Sequence, residues 1–171
     1  VVNMSNIMIL NGAGKKNGGT QKLVDAFRAG AESKGNIVTE FQLQNMNIKD
    51  CIDCQACRRR ENDNPCVQHD DMGEIYKAFF ASDIIVFATP IYWWTISGNL
   101  KTAVDRLEAV VNCAGMPYFA RKKTVFLCST GYNTELAGPW YDSFHQWMKT
   151  TDLGQAVNDV EKAKTLGASI R

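Results

Sequence analysis

Apolar residues along the chain fall into two alternating patterns. Continuous runs occur at Ile7-Met8-Ile9-Leu10, at Ile84-Ile85-Val86-Phe87-Ala88 and at Val125-Phe126-Leu127-Cys128. Short runs without polar alternation read as parallel strands buried on both faces. Between them apolar residues recur at helical spacing: Leu23, Phe27 and Ala31 beside Val24, then Met72, Ile75, Phe79 and Phe80, then Leu100, Val104, Leu107 and Val111, and last Trp140, Phe144, Trp147 and Met148. The pattern predicts strands over about 6–10, 36–42, 84–88 and 125–128. It predicts helices over about 19–33, from Asp70-Asp71 onward, after Ser97-Gly98 and near 139–149. The C-terminal part is less regular. Leu153 to Val157, interrupted by Gly154 and Gln155, predicts a short fifth strand, and 158–168 a closing helix. Repeated β–α units predict a three-layer α/β fold with right-handed crossovers, one domain over 1–171. The stretch 44–70 fits neither period and predicts a polar, irregular excursion.

In an open parallel sheet, ligands bind beyond the carboxyl ends of the strands. Three such ends carry unusual sequence. The first strand runs into Asn11-Gly-Ala-Gly-Lys-Lys-Asn-Gly-Gly-Thr20, with four glycines and two lysines before a helix. Glycines let backbone N–H groups approach an anion, and the helix start adds its dipole. The spacing is neither G-x-G-x-x-G nor a Walker loop, so a monophosphate suits it better than a dinucleotide or ATP. The third strand ends in Thr89-Pro90-Ile91-Tyr92-Trp93-Trp94-Thr95, a proline-stiffened aromatic wall. The fourth ends in Ser129-Thr130-Gly131-Tyr132-Asn133. A phosphate loop beside an aromatic wall points to a planar ring with a phosphate tail. The plainer alternative packs Tyr92, Trp93 and Trp94 against the core or a partner subunit.

Cysteine supplies a second constellation. Cys51, Cys54 and Cys57 follow C-x2-C-x2-C, and Cys66 completes a quartet within one segment. Four thiolates from one loop ligate an iron–sulfur cluster or zinc, and otherwise remain reduced thiols or form a disulfide. Cys113 and Cys128 fall on apolar segments and read as core thiols.

The segments 11–20, Thr-Pro-Ile-Tyr-Trp at 89–93, Ser97-Gly-Asn-Leu-Lys-Thr-Ala-Val-Asp-Arg106 and the cysteine quartet together resemble the NADPH-dependent FMN reductase and iron–sulfur flavoprotein group. That resemblance covers roughly 5–150. It implies a flavodoxin-like sheet of order 2-1-3-4-5, a bound FMN, and hydride transfer from NADH or NADPH through it to a quinone, flavin or other small acceptor. It implies that Ala13, Lys15, Gly18, Gly19 and Thr20 hold the phosphate, that Thr89, Pro90, Ile91, Tyr92 and Trp93 line the isoalloxazine, and that Ser129, Thr130 and Gly131 approach its pyrimidine end. It also offers a 4Fe–4S cluster on Cys51, Cys54, Cys57 and Cys66, and with it a rival role as an electron carrier between proteins, though the iron–sulfur flavoproteins usually set the fourth cysteine closer to the third than Cys66 stands to Cys57. The loop departs from the family's usual Gly-Ser-Pro-Arg: Ala13 and Gly14 replace serine and proline, and Lys15 keeps the arginine's charge without its bidentate fork.

Composition changes this picture only at the margins. A net charge of +1 offers no bulk attraction to nucleic acid or an anionic membrane. The apolar stretch 84–94 is broken by Thr89 and Pro90 and is too short to span a bilayer. Six cysteines with no recognisable export signal point to a reducing cytoplasm. The exposed aromatics call for cover, which predicts a homodimer or homotetramer. No serine–histidine or paired-carboxylate arrangement supports hydrolysis.

Overall fold

The computed structural model describes residues 4–131 and 134–171. Tyr132 and Asn133, assigned from sequence to the third strand-end loop, lie outside them. Strand β1 (Asn6–Asn11) leads into helix α1 (Gly19–Glu32), followed by β2 (Ile37–Gln42). After the excursion come α2 (Met72–Ala81), β3 (Ile84–Tyr92), a two-residue β4 (Thr95–Ile96), α3 (Gly98–Arg106), α4 (Glu108–Ala114) and the short α5 (Met116–Phe119). The chain then forms β5 (Lys123–Ser129), α6 (Pro139–Met148), β6 (Thr151–Val157) and α7 (Val160–Ser169).

The five long strands are parallel in the order β2-β1-β3-β5-β6, and β4 pairs antiparallel with β3. Counting long strands alone, this is the 2-1-3-4-5 order expected. The unbroken apolar run of β3 has its explanation here. Ile84, Val86 and Ala88 face one core with Leu23, Val24 and Phe27 of α1 and Ala163 of α7. Ile85 and Phe87 face the other, with Ile75 and Phe79 of α2, Leu100 of α3 and Tyr141 of α6. On the first face α1 and α7 touch backbone to backbone. A Cβ on Gly30 would fall 2.1 Å from the Lys164 carbonyl oxygen, and one on Gly167 2.1 Å from that of Phe27.

Several elements differ from the sequence reading: β3 runs on to Tyr92, and β4 and α5 were not expected. β6 spans seven residues, not a short strand, because it begins at Thr151 and absorbs Gly154 at φ +128° beside a register shift between Thr124 and Val125. The single helix expected through Val111 breaks at Leu107 into α3 and α4. Trp147 is not part of the α6 stack: it is 76% exposed, while Tyr141 takes the buried position.

Candidate functional site

The first strand-end loop is positioned by Asn11, a fully buried side chain at the end of β1. Its Oδ1 accepts from the Ala13 N–H at 2.9 Å, and its Nδ2 donates to Gln21 and Glu40. Gly12 donates to the Ala88 carbonyl, seating the loop on β3. A side chain there would strike Ser97 Oγ at 2.2 Å, so only glycine permits this approach. Gly18 precedes α1 in extended conformation, and no side chain caps the helix start. First-turn N–H donors are thereby left for a ligand beside the exposed Lys15 and Lys16. Burial pushes the Glu40 carboxyl up, but hydrogen bonds from Asn11, Arg28 and Gln21 outweigh it and hold that group below the usual carboxylate range.

The aromatic wall is a hairpin. Tyr92 pairs with Thr95 across a two-residue turn whose members, Trp93 and Trp94, have φ of 49° and 65°. Two left-handed residues form the tight turn that suits a twisted hairpin, normally filled by asparagine and glycine. Here bulky residues occupy it. Their rings meet edge to face at 4.7 Å, and Trp93 is 84% exposed. The hydroxyl of Tyr92 overhangs the phosphate loop, 4.0 Å from where a Gly14 Cβ would stand.

The third segment is held by a residue the sequence reading missed. Asn158, at φ 53°, accepts from the Thr130 N–H at 2.9 Å and donates to the Thr130 carbonyl at 2.8 Å. Its only sequence signal was an Asn-Asp pair after a strand. Gly19, Pro90, Ile91, Tyr92, Trp93, Ser129, Thr130, Gly131 and Asn158 together enclose an open cavity of ≈ 670 Å³. That is within the usual range for a small-molecule or cofactor site.

The other residues expected there are placed differently. Thr89 is fully buried: its hydroxyl donates to the Pro90 carbonyl and accepts from Ser97 N–H, fastening the start of α3. Thr20 is buried too, its Oγ1 2.6 Å from Ser129 Oγ. Ala13, Lys15 and Gly18 stand on the loop outside the cavity wall, and the Ala13 N–H is already engaged by Asn11. Thr130 N–H, bound to Asn158, is likewise committed within the protein.

The cysteine excursion folds against the other face. Cys51, Cys54, Cys57 and Cys66 all line one cavity of ≈ 200 Å³ with Arg106 and Asn112. Among the described residues no three ligand-type side chains stand close enough to hold a metal ion in this conformation. Asn112 Nδ2 donates to Cys57 Sγ at 3.0 Å, and Arg106 Nη2 to Cys66 Sγ at 3.4 Å. Arg106 does not pair with its neighbour Asp105, which binds Lys101 instead. It pairs at 2.7 Å with Asp70, the two side chains 1% and 0% exposed. Burial pushes the Asp70 carboxyl up, yet hydrogen bonds from Arg106 and from the Lys49 N–H hold it below its ordinary value. Asp70 caps α2 and anchors the excursion at once, its Oδ1 accepting from the Met72 N–H at 3.1 Å and its Oδ2 from the Lys49 N–H, while Asp71 accepts from the Asn47 N–H. Cys113 is not a core thiol: it is half-buried on α4, its Sγ donating to the Cys57 and Pro65 carbonyls. Burial, with Cys57 and Cys66 nearby, pushes it up. Cys128 is a core thiol, pushed up to about 12 by burial.

Comparison with known proteins places this geometry in a lineage. The chain is 26% identical to an iron–sulfur flavoprotein of Archaeoglobus fulgidus over 93% of its own length and 76% of that protein's. It is 31% identical to an iron–sulfur flavoprotein of Methanosarcina thermophila over 57% of the chain, spanning about half (49%) of that relative's length. A solved NAD(P)H:quinone oxidoreductase from Methanothermobacter marburgensis superposes with a TM-score of 0.71 at 16% identity, covering 99% of this chain and 100% of the other, which speaks to the fold. Among the described residues no helix is long and apolar enough to cross a membrane. Residues 5–158 match the family described as NADPH-dependent FMN reductase, and the chain, a flavodoxin-like oxidoreductase, belongs to that family.

Proposed function

We propose that the chain binds one FMN in the cavity between Gly19, the aromatic hairpin and Ser129–Gly131, and carries reducing equivalents from NAD(P)H to a small acceptor such as a quinone or free flavin. The observation that carries this reading is the meeting of three strand ends in one cavity of suitable size. The residues fit the group. An uncapped helix start flanked by lysines suits a phosphate, and an exposed aromatic wall suits a flat ring.

FMN, when bound, supplies the hydride chemistry. The chain binds, orients and polarises. Backbone donors of 14–19, apart from the Gly18 N–H that goes to the Lys15 carbonyl, would face the phosphate, with Lys15 adding a cation. Tyr92 and Trp93 wall the ring and leave one face open for a nicotinamide and then an acceptor. With the Thr130 N–H committed to Asn158, a backbone donor toward the pyrimidine end would come from Ser129 or Gly131. No side chain need act as a general base. The test is anaerobic addition of NADPH to FMN-loaded protein. Rapid bleaching of the flavin absorbance, reversed by a quinone, is expected; a flavin that stays oxidised overturns the reading.

A second reading, an electron carrier between protein partners, is favoured by the four thiols on one cavity. They are a soft donor set suited to a 4Fe–4S cluster or zinc, and they fit it in kind and number. Cys51, Cys54, Cys57 and Cys66 would hold the cluster, which would supply one-electron transfer. Iron and acid-labile sulfide in protein purified without oxygen favour this reading; their absence removes it. For either reading we expect a homodimer or larger assembly. Trp93, Trp94 and Trp147 are 84%, 61% and 76% exposed, and light scattering that gives a monomer with flavin bound would refute it.

A further inference from the structure

We propose that Asn112 and Arg106 are N–H···S donors that set the reduction potential of a cluster held by the cysteine quartet. The proposal rests on the second reading above and deepens it. Two of the four sulfurs already receive side-chain N–H groups: Cys57 from Asn112 and Cys66 from Arg106. Both donors line the cavity that the four thiols share. Arg106 has more to give. Its Nη1 and Nη2 are engaged by the Lys49 carbonyl, Asp70 and Cys66, but its buried Nε has no partner among the described residues. A buried N–H without an acceptor is costly, and a sulfur ligand beside it would relieve that cost.

The direction follows from charge. Reduction adds one negative charge to the cluster. A donor aimed at sulfur stabilises that charge and so raises the potential. Asp70 neutralises the guanidinium, so Arg106 acts chiefly through its directed N–H groups, not net charge. Asp53, Asp105 and Glu108 on the same cavity push the other way. The cavity is therefore asymmetric: donors at Cys57 and Cys66, with Cys51 and Cys54 exposed to solvent.

These are positioning residues, so the test reads a potential. FMN-containing protein is reconstituted without oxygen using ferrous iron and sulfide. Iron, sulfide and the midpoint potential from an EPR-monitored titration are measured for the wild type, Asn112→Leu and Arg106→Lys. Leucine keeps the branching of asparagine at Cγ without its N–H; lysine keeps a cation opposite Asp70 without the fork. Each variant should take up wild-type iron and shift the reduction equilibrium about tenfold toward the oxidised form, about 59 mV more negative for one electron. Unchanged potentials at full iron overturn the inference and leave the cluster standing. Reduced iron at an unchanged potential marks a merely structural role and also overturns it. A wild type that takes up no iron or sulfide overturns the cluster reading and the inference together. If Arg106→Lys fails to fold, Asn112→Leu carries the decision alone.

Discussion

Segments 12–18 and 44–70 both leave the carboxyl end of a parallel strand, β1 and β2, and both come near candidate redox chemistry. They are held by different means. The first is short and secured close to its own sequence: Asn11 grips Ala13, Gly12 bonds to the adjacent strand, and α1 begins at Gly19. The second has only two single-turn helices, Leu43–Asn45 and Ala56–Arg59. Side chains from distant elements hold it. Asp70 grips Lys49, Asp71 grips Asn47, Thr102 grips Asp50, and Asn112 and Arg106 grip the cysteines. A loop secured by its immediate neighbours depends on Asn11 and the residues that hold it. A loop hung from a buried ion pair depends on that pair.

The largest effect should follow from breaking that dependence. Arg106→Leu leaves the Asp70 carboxylate buried without its cation. Removing one partner of a buried pair destabilises by about 3–5 kcal/mol. Urea unfolding of the FMN-free protein should register that loss, with increased thiol reactivity in 51–66. A change under about 1 kcal/mol would mean that Asp70 is held by its backbone donors alone.

The hairpin offers the opposite test, because strain there should make a substitution stabilising. A non-glycine residue in left-handed conformation costs about 1–2 kcal/mol, and the Trp93–Trp94 ring contact returns about 0.5–1.5 kcal/mol. Replacing the pair by Trp93→Asn with Trp94→Gly should therefore raise the stability of FMN-free protein by about 1 kcal/mol. The same change should weaken FMN binding, since Trp93 lines the cavity. Stabilisation with unchanged FMN affinity would show that the strain serves something other than the flavin.

What the sequence disclosed follows the same division. The sheet order, both core faces and the three strand ends were readable because buried parallel strands are continuous in apolar residues and helices repeat on one face. Gly12 and the hairpin lay inside motifs that could be seen. Asn158 and Asn112 could not be. Each acts through a contact across 28 or 55 positions, and nothing local distinguishes such an asparagine from a turn or surface residue. Arg106 and Asp105 are adjacent, yet successive residues on a helix point apart, so Asp105 meets Lys101 on the exposed side while Arg106 turns inward to Asp70, a pairing that no local pattern announces. Thr89 and Thr20 sat in the right segments but face inward, where their hydroxyls fasten the frame.

A smaller effect is expected at Lys15. Its side chain is exposed, so a phosphate contact there is screened and falls below the usual 1.5–3 kcal/mol of a bond to a charged group. Lys15→Ala should weaken FMN binding by about 1 kcal/mol, roughly fivefold, by flavin-fluorescence titration at low salt. The deficit should shrink in about 1 M salt. A salt-independent deficit would point to lost loop packing instead of charge.

The smallest effect is on pH dependence, and it compares the two regions directly. Each contains a carboxylate held below its ordinary value: Glu40, under the phosphate loop through Asn11, and Asp70, under the excursion through Arg106. A folded-state pKa below the unfolded one stabilises fully above the unfolded value, about 3.9 for Asp and 4.3 for Glu. That stability is lost as pH falls through the lower folded value. Urea midpoints should therefore stay level from about pH 7 to about pH 5 and decline below about pH 4. Glu40→Gln and Asp70→Asn should each make the decline shallower, with a lower plateau at neutral pH. The regions should differ in what fails with them. Glu40→Gln should weaken FMN binding at neutral pH, because a neutral amide at that position holds Asn11 less firmly beneath the loop than the carboxylate does. Asp70→Asn should leave FMN binding alone and expose the thiols of 51–66. If both variants change FMN affinity equally, the two loops are one cooperative unit and the division between them fails.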